Sequence, residues 1–216
     1  SGLSEGIQWV ADQGYDVGSM SLGATSSYAT LRDACRYAEE RGVLLVASAG
    51  NDGCSDCVRY PAAYESVVAV SATASGDDLA SYSSYGPEIE LTAPGSSVYS
   101  TVPGSYGYKS GTSMACPHVA AAGGQLMANG YTHTEARTRL RETAEDIGLS
   151  DTQQGAGLLD VEAALDDGKT ATLAVSTTGV SNVGESSGTL EGSLDGLPDG
   201  DTATVAFEYR PQGTDA

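Results

Sequence analysis

The most constraining stretch of this chain is "VLLVASA", residues 43–49, a continuous apolar run. A strand wet on one face alternates apolar and polar residues, so a run without alternation belongs to a strand covered on both faces. It follows residues 28–41, where Leu31, Ala34, Cys35 and Ala38 recur at helical spacing before Gly42 ends the pattern. "DVGSMSLG", residues 16–23, reads as a short strand ahead of that helix. Strand, helix and buried strand in succession make a βαβ unit. "SVVAVSA" (66–72) is the next buried strand, and "EIELTAP" (88–94) and "SSVYSTV" (96–102) are shorter ones. Helices are expected over residues 3–13, 112–129, 133–145 and 160–167. This alternation predicts an α/β fold with a parallel sheet.

The texture changes near residue 169. "ATLAVSTTG", "SGTLEGSLDGL" and "ATVAFEYRP" are Thr- and Val-rich runs separated by Gly, Asn and Asp turns. The expected organisation is an α/β part over residues 1–168, followed over 169–216 by the start of a β-sandwich-like domain.

Acidic residues number 29 against 10 basic ones, a net charge of −19, and only Lys109 and Lys169 are lysines. Such charge argues against nucleic acid as a partner and for a high-salt setting, where screening relieves self-repulsion. No apolar run approaches the ~20 residues of a membrane span. Of the four cysteines, Cys35 and Cys116 lie in patterns that pack them as core thiols. Cys54 and Cys57 share the polar loop "NDGCSDCVRYP", and a zinc site would need two further ligands, so the spacing points to a local disulfide.

"SGTSMACPHVAAAGG", residues 110–124, sets Ser113 among small residues at the start of a helix. There a hydroxyl gains from the helix dipole and a backbone N–H can face an oxyanion, although a helix-capping serine has the same signature. His118, five residues on, falls about 140° around the helix and about 7.5 Å along it, out of reach as a base. It is expected instead to pack, buried, between helix and sheet. The only other histidine, His133, also follows the serine, and no acidic residue lies between Ser113 and His133. No standard Ser-His-Asp order can therefore be completed within these residues.

"GTSMACPHVAA" nevertheless closely resembles the serine signature of the subtilisin-like serine peptidases. The resemblance runs from about residue 2 to 165 through "MSLG", "SAGN", "YPAAY", "SYSSYG", "APGSSVYSTVPG" and "GTSMACPH", in the family's order. It implies a subtilisin-like parallel sheet with helices on both faces, and peptide-bond hydrolysis through an acyl-enzyme. Ser113 would be the nucleophile, and the Asn51 amide would join the Ser113 N–H in the oxyanion hole. The family's order is Asp, His, Ser, so the triad acid and base are expected upstream of residue 1. The chain then represents the C-terminal part of the catalytic domain, inactive without the N-terminal half as its partner. Substrates would be proteins or peptides, laid along Ser21, Leu22 and Gly23. Ala49 and Gly50 resemble the wall of the primary specificity pocket, with Asp52 at its mouth favouring basic or polar side chains. The family's weaker calcium site matches the backbone carbonyls of Ala62, Tyr64 and Val67, which suit a hard cation. No organic cofactor is implied. An extracellular, high-salt location is expected. The alternative reading is a catalytically inactive relative that binds peptides or acts at the cell surface.

Overall fold

Alternate side chains of the run at 43–49 point to opposite faces of a sheet, and both faces are covered. In the computed structural model, which describes residues 2–166, 174–181 and 189–195, strands β1 (Val17–Met20), β2 (Leu44–Ser48), β3 (Val68–Thr73) and β4 (Ile89–Pro94) pair in parallel in that order. Every residue of β2 and β3 is buried. Leu44 and Val46 face one way and join Val68, Val70, Leu91 and Ala93 in a core shared with the helix α3 (Thr112–Ala128). Val43, Leu45 and Ala47 face the other way and pack with Val67, Ala69 and Ile89 against α1 (Gly2–Asp12) and α2 (Ala29–Glu39). Helices thus cover both faces, as the unbroken apolar run requires.

Helix α3 is built for close packing. Ala115, Cys116, Val119, Ala120 and Ala122 are buried against the sheet, and such small side chains let the helix backbone approach it. Helix α4 (His133–Glu142) opens with a capping box, Thr132 with Glu135, and buries Ala136 and Leu140 in the same core. It ends at Glu142, three residues short of the expected boundary at 145. Helices α5 (Asp151–Gln154) and α6 (Val161–Leu165) follow.

Three features depart from expectation. Residues 98–102 do form a strand, β5, but it pairs antiparallel with a second, β6 (Ser105–Lys109), in a separate hairpin. The short α5 carried no periodic signal of its own. His118 is exposed, with Nδ1 2.8 Å from the Met114 carbonyl oxygen, because the buried stripe of α3 runs through Ala115, Cys116 and Val119 and leaves position 118 outside it.

The chain divides into two compact units, Ser1–Leu165 and Asp166–Ala216. In the second, β7 (Ala174–Ser181) and β8 (Thr189–Asp195) pair antiparallel. The third strand expected near 203–211 lies outside the described residues. Among those residues no helix is long and apolar enough to cross a membrane.

Candidate active site

Three chain segments converge on Ser113, which is half-buried at the second position of α3. The first is the end of β2, which carries Ala49, Gly50 and Asn51 beyond the sheet. The Gly50 N–H donates to Thr112 Oγ1 at 3.2 Å, and the Thr112 N–H donates to Asn51 Oδ1 at 2.9 Å. A helix N-terminus leaves its first N–H groups without intrahelical acceptors, and Asn51 satisfies one of them. The Thr112 hydroxyl also lies 3.1 Å from Asn51 Oδ1. With Oδ1 engaged as an acceptor, the amide's other end is Nδ2, a donor.

Gly111, immediately before α3, has φ 155° and ψ 160°, a conformation open essentially to glycine alone. A Cβ placed on it would stand 3.5 Å from Asn51 Nδ2, 3.6 Å from Asn51 Oδ1 and 3.6 Å from the Ser113 backbone nitrogen. The absence of a side chain at Gly111 thus lets the Asn51 amide and the Ser113 N–H lie close to the same point of the backbone.

The second segment follows β1. Ser21, Leu22 and Gly23 lie past the strand's last residue, Met20, and are exposed. Ser21 Oγ donates to the Ser113 carbonyl at 2.8 Å. That carbonyl needs an outside donor, because the residue four positions on is Pro117, inside the helix and without an N–H. The proline thus leaves the Ser113 carbonyl to the 21–23 segment.

The third segment contains Arg59 and Tyr60. The Arg59 N–H donates to Ala49 at 2.8 Å, while Tyr60 and Ala24 exchange N–H···O bonds of 2.9 and 2.8 Å. A cavity of about 250 Å³ opens among these segments, lined by Leu22, Gly23, Ser48, Gly50, Asn51, Asp52, Arg59 and Ser113. Asp52 does not face it as a free acid: both carboxylate oxygens accept from Arg59, from Nε and Nη2, at 2.7 Å each. Arg59 holds the Asp52 carboxyl below its ordinary range. Ala49 is buried behind Gly50.

Residues 2–157 match the subtilase family model. The chain belongs to the subtilase family. Over 168 residues, 76% of this chain and 31% of the relative, it is 49% identical to the halolysin-like extracellular serine protease Nep of Natrialba magadii. Over 167 residues, 76% of this chain and 61% of the relative, it is 41% identical to subtilisin BL of Lederbergia lenta. Among solved structures, sphericase superposes with a TM-score of 0.68 at 33% identity, covering 74% of this chain and 63% of its own. The chain thus spans less than two thirds of these relatives' length.

Other expected site residues of this subtilase chain are placed as follows. Cys54 and Cys57 are paired as a disulfide with Cα atoms 5.9 Å apart, in the loop between Asn51 and Arg59. Cys35 and Cys116 are buried free thiols. Burial raises the Cys116 thiol, against the opposing hydrogen bond with Ser19, so this buried sulfur is held as a thiol. Ala62, Tyr64 and Val67 are buried, and the Tyr64 carbonyl already accepts the Val67 N–H at 2.9 Å. In the neighbouring cavity Arg137 donates Nε to Glu90 Oε2 at 2.9 Å and Nη2 to Glu90 Oε1, and Nη2 also reaches the Glu65 carbonyl at 2.7 Å. No cluster of three His, Cys, Asp or Glu side chains exists among the described residues, so a hard cation here would rest on the backbone carbonyls of Ala62, Tyr64 and Val67. Three contributors were not singled out from sequence: Thr112, Pro117 and Arg59. Pro117 was visible four residues after the serine; Thr112 acts through Gly50 and Asn51, far back in the chain, and Arg59 through Asp52 in its own loop.

Proposed function

We propose that this chain is part of a secreted serine endopeptidase that cleaves protein or peptide substrates by acyl transfer at Ser113. The observation that carries the reading is the Asn51 amide, bonded through Oδ1 to the Thr112 N–H at the start of the helix that carries Ser113; Asn51 Nδ2 and the Ser113 N–H are assigned as the two oxyanion donors. Ser113 Oγ attacks the scissile carbonyl carbon while its proton passes to a general base. The carbonyl oxygen, now anionic, takes hydrogen bonds from the two donors. These strengthen as charge develops, which lowers the barrier rather than merely tightening substrate binding. Collapse expels the amine, which leaves with the proton, and water then cleaves the acyl-enzyme. The base and its acid come from outside these 216 residues, since His118 is turned to the Met114 carbonyl and lies on the helix at too great an offset. The net charge of −19, the Cys54–Cys57 pair and a relative named as extracellular and halolysin-like support secretion into a salty medium.

Two measurements test this. An organophosphonate should label Ser113 in the complete peptidase, and Ser113→Ala should abolish both labelling and peptide hydrolysis. The 216-residue chain alone should show no hydrolysis that depends on Ser113 beyond a trace. Robust Ser113-dependent turnover by the isolated chain would overturn the external base, and an unlabelled serine in the complete protein would favour a peptide-binding role.

A further inference from the structure

The two glycines that border the cavity beside Ser113 ought to leave room for a substrate side chain, but the space between them is taken. A Cβ on Gly23 would lie 2.8 Å from Arg59 Cβ and 3.3 Å from its Cδ, and one on Gly50 would lie 3.0 Å from Arg59 Cγ and 3.2 Å from its Cδ. The methylene stem of Arg59 therefore passes between the two walls in contact with both. Its backbone is fixed by the bond to Ala49, and neighbouring Tyr60 by those to Ala24. At the far end, the guanidinium meets Asp52 through two parallel bonds of 2.7 Å, the bidentate geometry that gives an arginine–carboxylate pair its specificity. The remaining lining offers one large apolar side chain, Leu22, against Ser48, Asn51, Asp52, Arg59 and Ser113.

We propose that Arg59 is the specificity-determining residue of this pocket: its stem fills the space between Gly23 and Gly50 and its guanidinium cancels Asp52, so the pocket takes a short, uncharged side chain from the residue before the scissile bond. The proposal rests on the peptidase reading above. A long side chain must displace the arginine, and a charged one gains nothing from a pair already neutral. Because Arg59 keeps Asp52 ionised below the ordinary carboxylate range, the selection persists into mildly acidic solution.

The test compares kcat/KM for four peptides differing only at that position, with Ala, Phe, Lys or Glu, in the complete peptidase and two variants. Ratios within one variant cancel the fraction of folded enzyme, and organophosphonate titration counts active sites. The wild type should favour Ala over Phe by about tenfold or more, the scale on which pocket size discriminates. Arg59→Gly should raise the Phe/Ala and Lys/Ala ratios about tenfold each, by opening the space and freeing Asp52. Asp52→Asn should instead raise Glu/Ala, by freeing the guanidinium. A wild type that prefers Phe, or Arg59→Gly with unchanged ratios, overturns the role of Arg59 while leaving the peptidase intact. No turnover and no labelling of Ser113 overturns the peptidase reading and this inference together.

Discussion

Asn51 has its amide orientation set by Thr112, whose N–H and hydroxyl both donate to Oδ1 and leave Nδ2 as the free donor end assigned to the oxyanion. Asn51→Leu in the complete peptidase should lower kcat by about 10²–10³, the size associated with losing an oxyanion donor in this family, with little change in KM. Near wild-type kcat per titrated site would reduce Asn51 to a turn residue. Cys35 makes a different prediction. Burial foremost, with Glu39 adding to it, pushes its thiol from 9.0 up to about 12. The folded chain keeps a proton that the unfolded chain loses, so this contribution is full below about pH 9 and fades as pH rises toward about 12. The slope is at most about 1.4 kcal/mol per pH unit for one proton. Urea unfolding between pH 8 and about 10.5 should show a steeper loss for the wild type than for Cys35→Ala, and equal slopes would refute the assignment.

Among the elements, β4 and β3 offer a matched pair of tests, each carrying a buried hydroxyl. Thr92 Oγ1 has no hydrogen-bond partner among the described residues, while its backbone is paired with Gly157 and Leu159. Ser71 Oγ, also fully buried, donates to the Gln153 carbonyl at 2.6 Å. Thr92→Val keeps the shape and β-branching and removes an orphaned polar atom, so stability should hold or rise by up to about 1 kcal/mol. Ser71→Ala should cost about 1 kcal/mol or more, since it strands a carbonyl acceptor. Equilibrium denaturation of the two variants checks both signs. A destabilised Thr92→Val would reveal a partner for that hydroxyl.

For the whole molecule, charge dominates. With 29 acidic and 10 basic residues, repulsion opposes the compact state at low salt, and the Debye length shrinks from about 10 Å at 0.1 M to about 3 Å at 1 M. The melting temperature should climb through a chloride series from about 0.1 to 2 M. A flat or falling curve would remove the inference of a saline habitat.

What the sequence determined by itself was the layered architecture and the family signature around Ser113. An apolar run without alternation at 43–49 has to be buried on both sides, and the small residues after Ser113 let their helix pack close to a sheet. The tyrosine-rich β6 carries no core signal in the sequence because its residues are mostly exposed and its order comes from pairing with β5. His118 seemed bound for the core because a local window shows the helix but not which stripe meets the sheet. Only tertiary structure decided the pocket. Arg59, Gly23, Gly50 and Asp52 meet because separate segments are stitched together by backbone bonds, and whether an acid attracts a substrate or is already neutralised depends on which cation the fold places 2.7 Å away.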